Sequence, residues 1–181
     1  FAYKKLREAN KIIYTGRISS IKQIETLINA IPNIKNNNTI VEIYGPAEKD
    51  YLDKIKKIIG DKKLESRVII TNKIYSIDEQ IGKLDEARIF VLPSKTEGMP
   101  QVLIENMARG KIVIASNNLG SKDLIQNNKN GFLFQMNDEK ELAAKINLAL
   151  QNKYLNMGGE ARSSVEQFSW GKVIKKIENL L

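Results

Sequence analysis

Residues 93–110 read P-S-K-T-E-G-M-P-Q-V-L-I-E-N-M-A-R-G, and their reading decides the fold. A mostly apolar run, A-R-I-F-V-L at 87–92, precedes them and predicts a buried strand. Pro93, Ser94, Thr96 and Gly98 break that run. Pro100 stands where a helix begins, and proline is tolerated there because the first helical N–H has no partner anyway. Val102, Leu103, Ile104 and Met107 supply an apolar face, and Gly110 stops the helix. The stretch predicts strand, tight loop, helix.

The same alternation extends outward in both directions. Strands are predicted at 11–15, 39–44, 67–71, 87–92, 111–115 and 132–134. Helices are predicted at 20–31, capped by Ser19 or Ser20 and ended by Pro32, and at 48–59, ended by Gly60. Further helices are predicted at 76–84 and at 138–150, the latter capped by Asn137 or Asp138. The tail from Tyr154 reads as two helices split near Ser169, and residues 1–10 read as a linker or short helix. Runs such as V-I-I and I-V-I-A are nearly continuous and β-branched, which marks strands buried on both faces. The expectation is an α/β fold, a doubly wound, Rossmann-like parallel sheet of about six strands with helices on both faces and a helical tail. Crossovers should be right-handed. Residues 11–150 form the domain, and 151–181 pack on it. Ligands of such a sheet bind at the strand carboxyl ends. The loops there are 16–19, 45–47, 71–75, 93–99 and 116–121.

Composition narrows the chemistry. A chain of 181 residues makes one domain with a sizeable core. It contains no cysteine, which excludes disulfides and thiolate metal sites, and no histidine, which removes the commonest general base. No apolar run approaches the roughly 18 residues of a membrane span, and no signal peptide is visible. The chain starts at Phe1, so a segment of a longer protein is expected. The net charge of +8 admits nucleic acid, a membrane surface or phosphorylated ligands as partners. Its densest basic stretch, 49–63, alternates lysines with Ile55, Ile58 and Ile59, as a solvated helix face does. No aromatic residue interleaves with it, and no nucleic-acid motif is present.

Glu97 falls on the loop and Glu105 more than one turn into the helix. A helix N-terminus favours an anion such as phosphate, and carboxylates beside it accept hydrogen bonds from hydroxyls. An anion with hydroxyls at both ends, a sugar diphosphate nucleotide, suits that arrangement. Spacing alone equally describes a loop acid and a solvated helix acid. A second piece of chemistry is G-R-I-S-S-I-K at 16–22. Arg17 offers a planar fork and Lys22 a point charge, and together they can neutralise a diphosphate. Taken alone they also read as two surface cations.

Context adds to spacing. The two glutamates are separated by seven intervening residues inside P-S-x-x-E-G-M-P-x-V-L-x-E-x-M-A-x-G. This resembles the signature of retaining glycosyltransferases of family 4, which have the GT-B fold. G-R-x-S-x-x-K resembles that family's phosphate-binding turn, with Gln23 where glycine usually follows. V-E-I-Y-G-P resembles its strand and turn at Gly45, and R-V-I-I-T-N-K-I its base-contacting segment, with Asn72 where glycine is common. G-K-I-V-I-A-S, N-L-G-S-K-D-L-I and N-G-F-L-F continue the likeness, with Ile112 in place of proline and Asp123 where glutamate is commoner. F-S-W at 168–170 resembles the start of the last helix, and Trp170 reads as packing.

The resemblance implies the donor-binding, C-terminal half of a two-domain enzyme, with the acceptor-binding N-terminal domain as its missing partner. The half would bind a nucleoside diphosphate sugar, UDP favoured over GDP. The enzyme would pass the hexose to a saccharide or lipid-linked acceptor in cell-surface polysaccharide synthesis. Arg17 and Lys22, beside Gly16, would hold the diphosphate. The base would meet Asn72, Lys73 and Ile74, mostly through backbone. Glu97, with Gly98, Met99 and Pro100, would hold the transferred sugar. Gln101, Val102 and Glu105 continue the donor site on the helix, Glu105 on the ribose. Catalysis would rest on Glu97, Arg17 and Lys22, with no metal and no cofactor. The setting would be cytoplasmic, at the inner face of the membrane, with peripheral membrane contact and no nucleic acid. Rival readings are a nucleotide-sugar epimerase half, a binding-only module and a flavodoxin-like signalling domain.

Overall fold

The computed structural model describes residues 10–168 together with 171 and 172. The linker read at the chain start and the last tail helix with Trp170 therefore lie outside the described residues, Asn10 apart.

Six strands form one parallel sheet: β1 (Lys11–Thr15), β2 (Ile40–Tyr44), β3 (Val68–Thr71), β4 (Ile89–Leu92), β5 (Ile112–Ser116) and β6 (Phe132–Phe134). Their spatial order is β3-β2-β1-β4-β5-β6. Register follows from pairs such as Ile13 with Glu42, Ile13 with Phe90, and Val91 with Ile114. The order reverses between β1 and β4. At that point the chain leaves two neighbouring strands in opposite directions, which opens a crevice at their carboxyl ends.

The helices are α1 (Ile24–Ala30), α2 (Lys49–Asp61), α3 (Ile77–Glu86), α4 (Gln101–Ala108), α5 (Leu119–Lys122), α6 (Glu139–Ala149) and α7 (Met157–Val165). Helix α1 packs between α2 and α6, and α4 packs on α7. Ile24, Leu27 and Ile28 of α1 are fully buried, as are Ile12, Ile13, Ile89, Phe90 and Val91 of the sheet. Burying a large aliphatic side chain is worth about 1.5–3 kcal/mol, so the two-sided core is the main source of stability. Glu42, buried in β2, is held by Lys11 at 2.6 Å and by Lys83 of α3.

Three local expectations are corrected. The helix expected at 20–31 is broken: Ser20–Lys22 is a 3-10 turn, and Gln23 adopts the left-handed conformation before α1 starts. Lys22 thus stands on a turn ahead of the helix rather than within it. Gly60 does not stop α2, which runs through it to Asp61. The stop comes at Lys63, in the left-handed region with φ 55°, where the Leu64 N–H returns to the Ile59 carbonyl and Leu64 is buried. The loop expected at 116–121 contains a short helix, α5, whose N-cap Asn118 accepts from the Ser121 N–H at 3.0 Å. At α6 the cap is Asp138, which accepts from the Glu141 N–H at 2.8 Å.

Candidate donor-binding site

Gly16 to Lys22 cross from β1 toward α1 at the point where the strand order reverses. Their backbone is bound to the next loop. The Ile18 N–H donates to the Pro46 carbonyl at 2.8 Å, and the Glu48 N–H donates to the Ile18 carbonyl at 3.0 Å. Gly45 has φ 146°, and a Cβ there would stand 2.1 Å from the Gly16 carbonyl oxygen. Only glycine permits that approach. Inside the turn, the buried Tyr14 hydroxyl donates to the Arg17 carbonyl at 2.7 Å. Burial, and after it the charge on Glu97, pushes the Tyr14 phenol far above its ordinary pKa. It stays a protonated donor, which keeps the Arg17 backbone in place.

The second loop, 93–99, follows β4 and is held on both sides. The Lys95 N–H donates to the Ile21 carbonyl at 2.8 Å, which ties it to the β1 loop. Asn118 Nδ2 donates to the Ser94 carbonyl at 3.0 Å, and the Ser116 hydroxyl donates to the same oxygen. The Gly120 N–H donates to the Glu97 carbonyl at 3.1 Å.

The two loops meet through charge. Lys22 Nζ lies 2.6 Å from Glu97 Oε1, with side chains 23% and 12% exposed. Beside them opens a cleft of about 410 Å³, lined among others by Gly16, Arg17, Ser19, Lys22 and Val102. Gly16, Arg17, Lys22 and Val102 had been singled out in the sequence. Arg17 is exposed at the rim. Glu105 stands one helical turn beyond Val102 on α4, so the two share a face. Its residue is exposed, yet the carboxyl group is partly withdrawn from water, and that burial raises its pKa. Gly98, Met99 and Gln101 are exposed and Pro100 is buried.

Asn72, Lys73 and Ile74 stand at the carboxyl end of β3, two strands from β1, and do not line the cleft. The Asn72 side chain accepts from the Ala47 N–H at 3.0 Å. Lys73 is 3.5 Å from Glu79 and covers the Tyr75 ring, while Ile74 is exposed. Sequence reasoning missed Tyr14, Ser19 and Glu48 as cleft residues. Tyr14 and Ser19 carried signals, a hydroxyl at a strand end and a serine inside the basic turn. Glu48 carried none, being an ordinary acid before a helix. Among the described residues, no cluster of three or more aspartates, glutamates, histidines or cysteines could hold a metal ion, and no helix is long and apolar enough to cross a membrane.

Two loops, one with exposed Arg17 and with Lys22, the other with the Glu97 carboxylate that Lys22 pairs, can receive an anion that also bears hydroxyls. Comparison with known proteins gives the family. The profile of the family described as Glycosyl transferases group 1 matches residues 1–167. An uncharacterized glycosyltransferase of Haemophilus influenzae is 27% identical over 97% of this chain and 60% of its own length. The poly(ribitol-phosphate) alpha-N-acetylglucosaminyltransferase of Staphylococcus aureus is 30% identical over 96% of this chain and 36% of its own. The crystal structure of a single-residue mutant of S. aureus TarM, in complex with fondaparinux, alpha-GlcNAc-glycerol and UDP, superimposes with a TM-score of 0.85 at 30% identity. It covers 99% of this chain and 37% of TarM. The chain thus spans between about a third and three fifths of the length of these curated relatives.

Proposed function

This chain belongs to the group 1 glycosyl transferases, and from that premise we propose that it is the donor-binding half of a retaining, metal-independent hexosyltransferase. The donor is a nucleoside diphosphate sugar, UDP-linked in preference to GDP-linked, a choice supported by the UDP in the TarM complex. The acceptor is a saccharide or lipid-linked sugar of a cell-surface polymer, held by a second, N-terminal domain. The work is done on the cytoplasmic side of the membrane.

The observation that carries the reading is the meeting of the β1 and β4 loops. Arg17 and Lys22 stand at one wall of the cleft, and Glu97 is brought to Lys22 at 2.6 Å. Arg17 and Lys22 hold the diphosphate and stabilise the charge that grows on the leaving group as the bond to the sugar breaks. Fixed cations at that point act as electrostatic catalysts. Glu97 accepts hydrogen bonds from hydroxyls of the transferred sugar. Glu105 accepts them from the ribose; its carboxyl group is partly withdrawn from water, and that burial raises its pKa. The chain supplies positioning and charge, and none of these residues is assigned as a nucleophile. A nucleotide-sugar epimerase half would want acid–base residues across the cleft, and nothing in the site favours it.

Calorimetry with UDP and uridine tests this. Arg17→Ala should weaken UDP by about tenfold or more, since a charge-assisted hydrogen bond is worth about 1.5–3 kcal/mol, and should leave uridine nearly unchanged. Glu105→Ala should weaken both. Equal loss of UDP and uridine on removing Arg17 would contradict the assignment.

A further inference from the structure

The ion pair between Lys22 and Glu97 joins a residue assigned to the diphosphate with one assigned to the sugar. Both members are held through the backbone, and they carry opposite charges. Glu97 is anchored by its backbone: its carbonyl accepts from the Gly120 N–H at 3.1 Å, and Gly98 beside it is wedged against Gly120. The same loop is tied at Lys95 to the Ile21 carbonyl. The Lys22 backbone is held through its N–H to the Ser19 carbonyl at 2.9 Å, and its ammonium, on a flexible four-carbon stem, is held by Glu97. An anion entering the cleft attracts the ammonium and not the carboxylate, so Lys22 is the member drawn to it.

Two ligands then face different costs. A bare nucleoside diphosphate that draws Lys22 away leaves Glu97, 12% exposed, with an unpaired charge. Losing one partner of a part-buried pair is costly because the other stays desolvated. A nucleotide carrying a sugar brings hydroxyls that donate to Glu97 in exchange for Lys22. We propose that the Lys22–Glu97 pair makes Glu97 a specificity-determining residue that favours the sugar-bearing nucleotide over the bare nucleoside diphosphate. This rests on the reading of the site as a donor site. In a transferase the bare diphosphate is the product, so the pair also hastens its departure after transfer.

The test uses the chain as it stands, with UDP and UDP-glucose as probes in calorimetry. Glu97→Gln keeps the shape of the side chain and removes its charge. It should bind UDP about three- to tenfold tighter, the range for releasing a part-exposed ion pair, with no gain for UDP-glucose. Glu97→Ala repeats the measurement with a smaller side chain should the first variant melt early. In a Lys22→Ala background, removing the Glu97 charge should no longer strengthen UDP. If UDP binds the unaltered chain and Glu97→Gln binds it no tighter, the discrimination is overturned while the donor-site reading stands. If the gain persists without Lys22, the carboxylate simply repels phosphate and the exchange is overturned. If neither UDP nor UDP-glucose binds any form, the donor-site reading fails and this inference with it.

Discussion

Gln23 carries a left-handed backbone, φ 48° and ψ 44°, between the 3-10 turn and α1. A side chain in that region costs about 1–2 kcal/mol, which explains why glycine is usual here in the family the sequence resembles. The turn keeps its shape in spite of the side chain. Part of the cost is offset by a hydrogen bond from Gln23 Nε2 to Asn137 Oδ1 at 2.5 Å, while Gln23 Oε1 is buried with no partner among the described residues. Gln23→Gly should therefore raise stability, by about 0.5–1 kcal/mol once the extra chain entropy of glycine is set against the strain relieved. In thermal denaturation this is a rise of about 1–4 °C for a domain of this size. UDP affinity should not fall, because Lys22 already sits on the turn that glycine would favour. A lower melting temperature would mean that the bond to Asn137 outweighs the strain.

At the level of elements, the β4–α4 loop owes its position to α5 as much as to its own sequence. A Cβ on Gly120 would stand 2.3 Å from the Gly98 carbonyl oxygen and 2.7 Å from that of Glu97, and both contacts are with backbone. Gly98 is different, for a Cβ there meets nothing within 4 Å. Gly120→Ala should push the two segments apart at about 1–3 kcal/mol, the usual cost of overpacking. Gly98→Ala should stay within about 0.5 kcal/mol, as unconstrained surface changes do. Urea unfolding of the pair checks this, and equal effects would show that α5 does not brace the loop. The reason matters for function: whatever moves the Glu97 backbone also moves the carboxylate that meets Lys22.

For the whole molecule, the sheet's amino end carries charge that the core has to tolerate. Lys111 is 2% exposed, with Nζ donating to the Ala87 carbonyl at 2.7 Å. Burial lowers its pKa to about 8, with the Asp85 carboxylate opposing and Arg109 adding to that shift. The unfolded chain holds this proton up to about pH 10.5, whereas the folded one releases it near pH 8. Between those values the unfolded state binds more protons, so the contribution of Lys111 to stability improves as pH rises. Lys11 and Lys83 have raised pKa values and lose their contribution at still higher pH, so the comparison must be made against a variant. The stability gap between Lys111→Met and the unaltered chain should shrink by about 2 kcal/mol from pH 7 to pH 10. A gap independent of pH would show that Lys111 keeps its proton when buried. The same core, complete on both faces of the sheet, should let this chain melt cooperatively by itself. Because the acceptor side of the cleft is assigned to another domain, the chain should transfer no sugar alone, and robust transfer by it would overturn that division.

All six strands were legible in the sequence to within one or two residues, and in β4 and β5 the reason is burial on both faces, which demands apolar residues along the whole length. V-I-I of β3, also expected to be buried on both faces, lies at the sheet edge with Ile69 50% exposed. The doubly wound class followed from strand and helix in alternation. So did the helix ended by Gly110, whose φ of 70° suits the stop. Breaks that depend on packing were not legible. Gly60 stays helical because Leu64 finds a buried place one turn later, and α5 forms where Gly120 touches the neighbouring loop. In the candidate site, the residue types of Arg17, Lys22, Glu97 and Glu105 could be chosen from local motif chemistry alone. That Lys22 and Glu97, 75 residues apart, form one ion pair could not. Their meeting requires β1 and β4 to be neighbours, and strand order is settled by which helices cover which face of the sheet, a property of the whole core that no local pattern records.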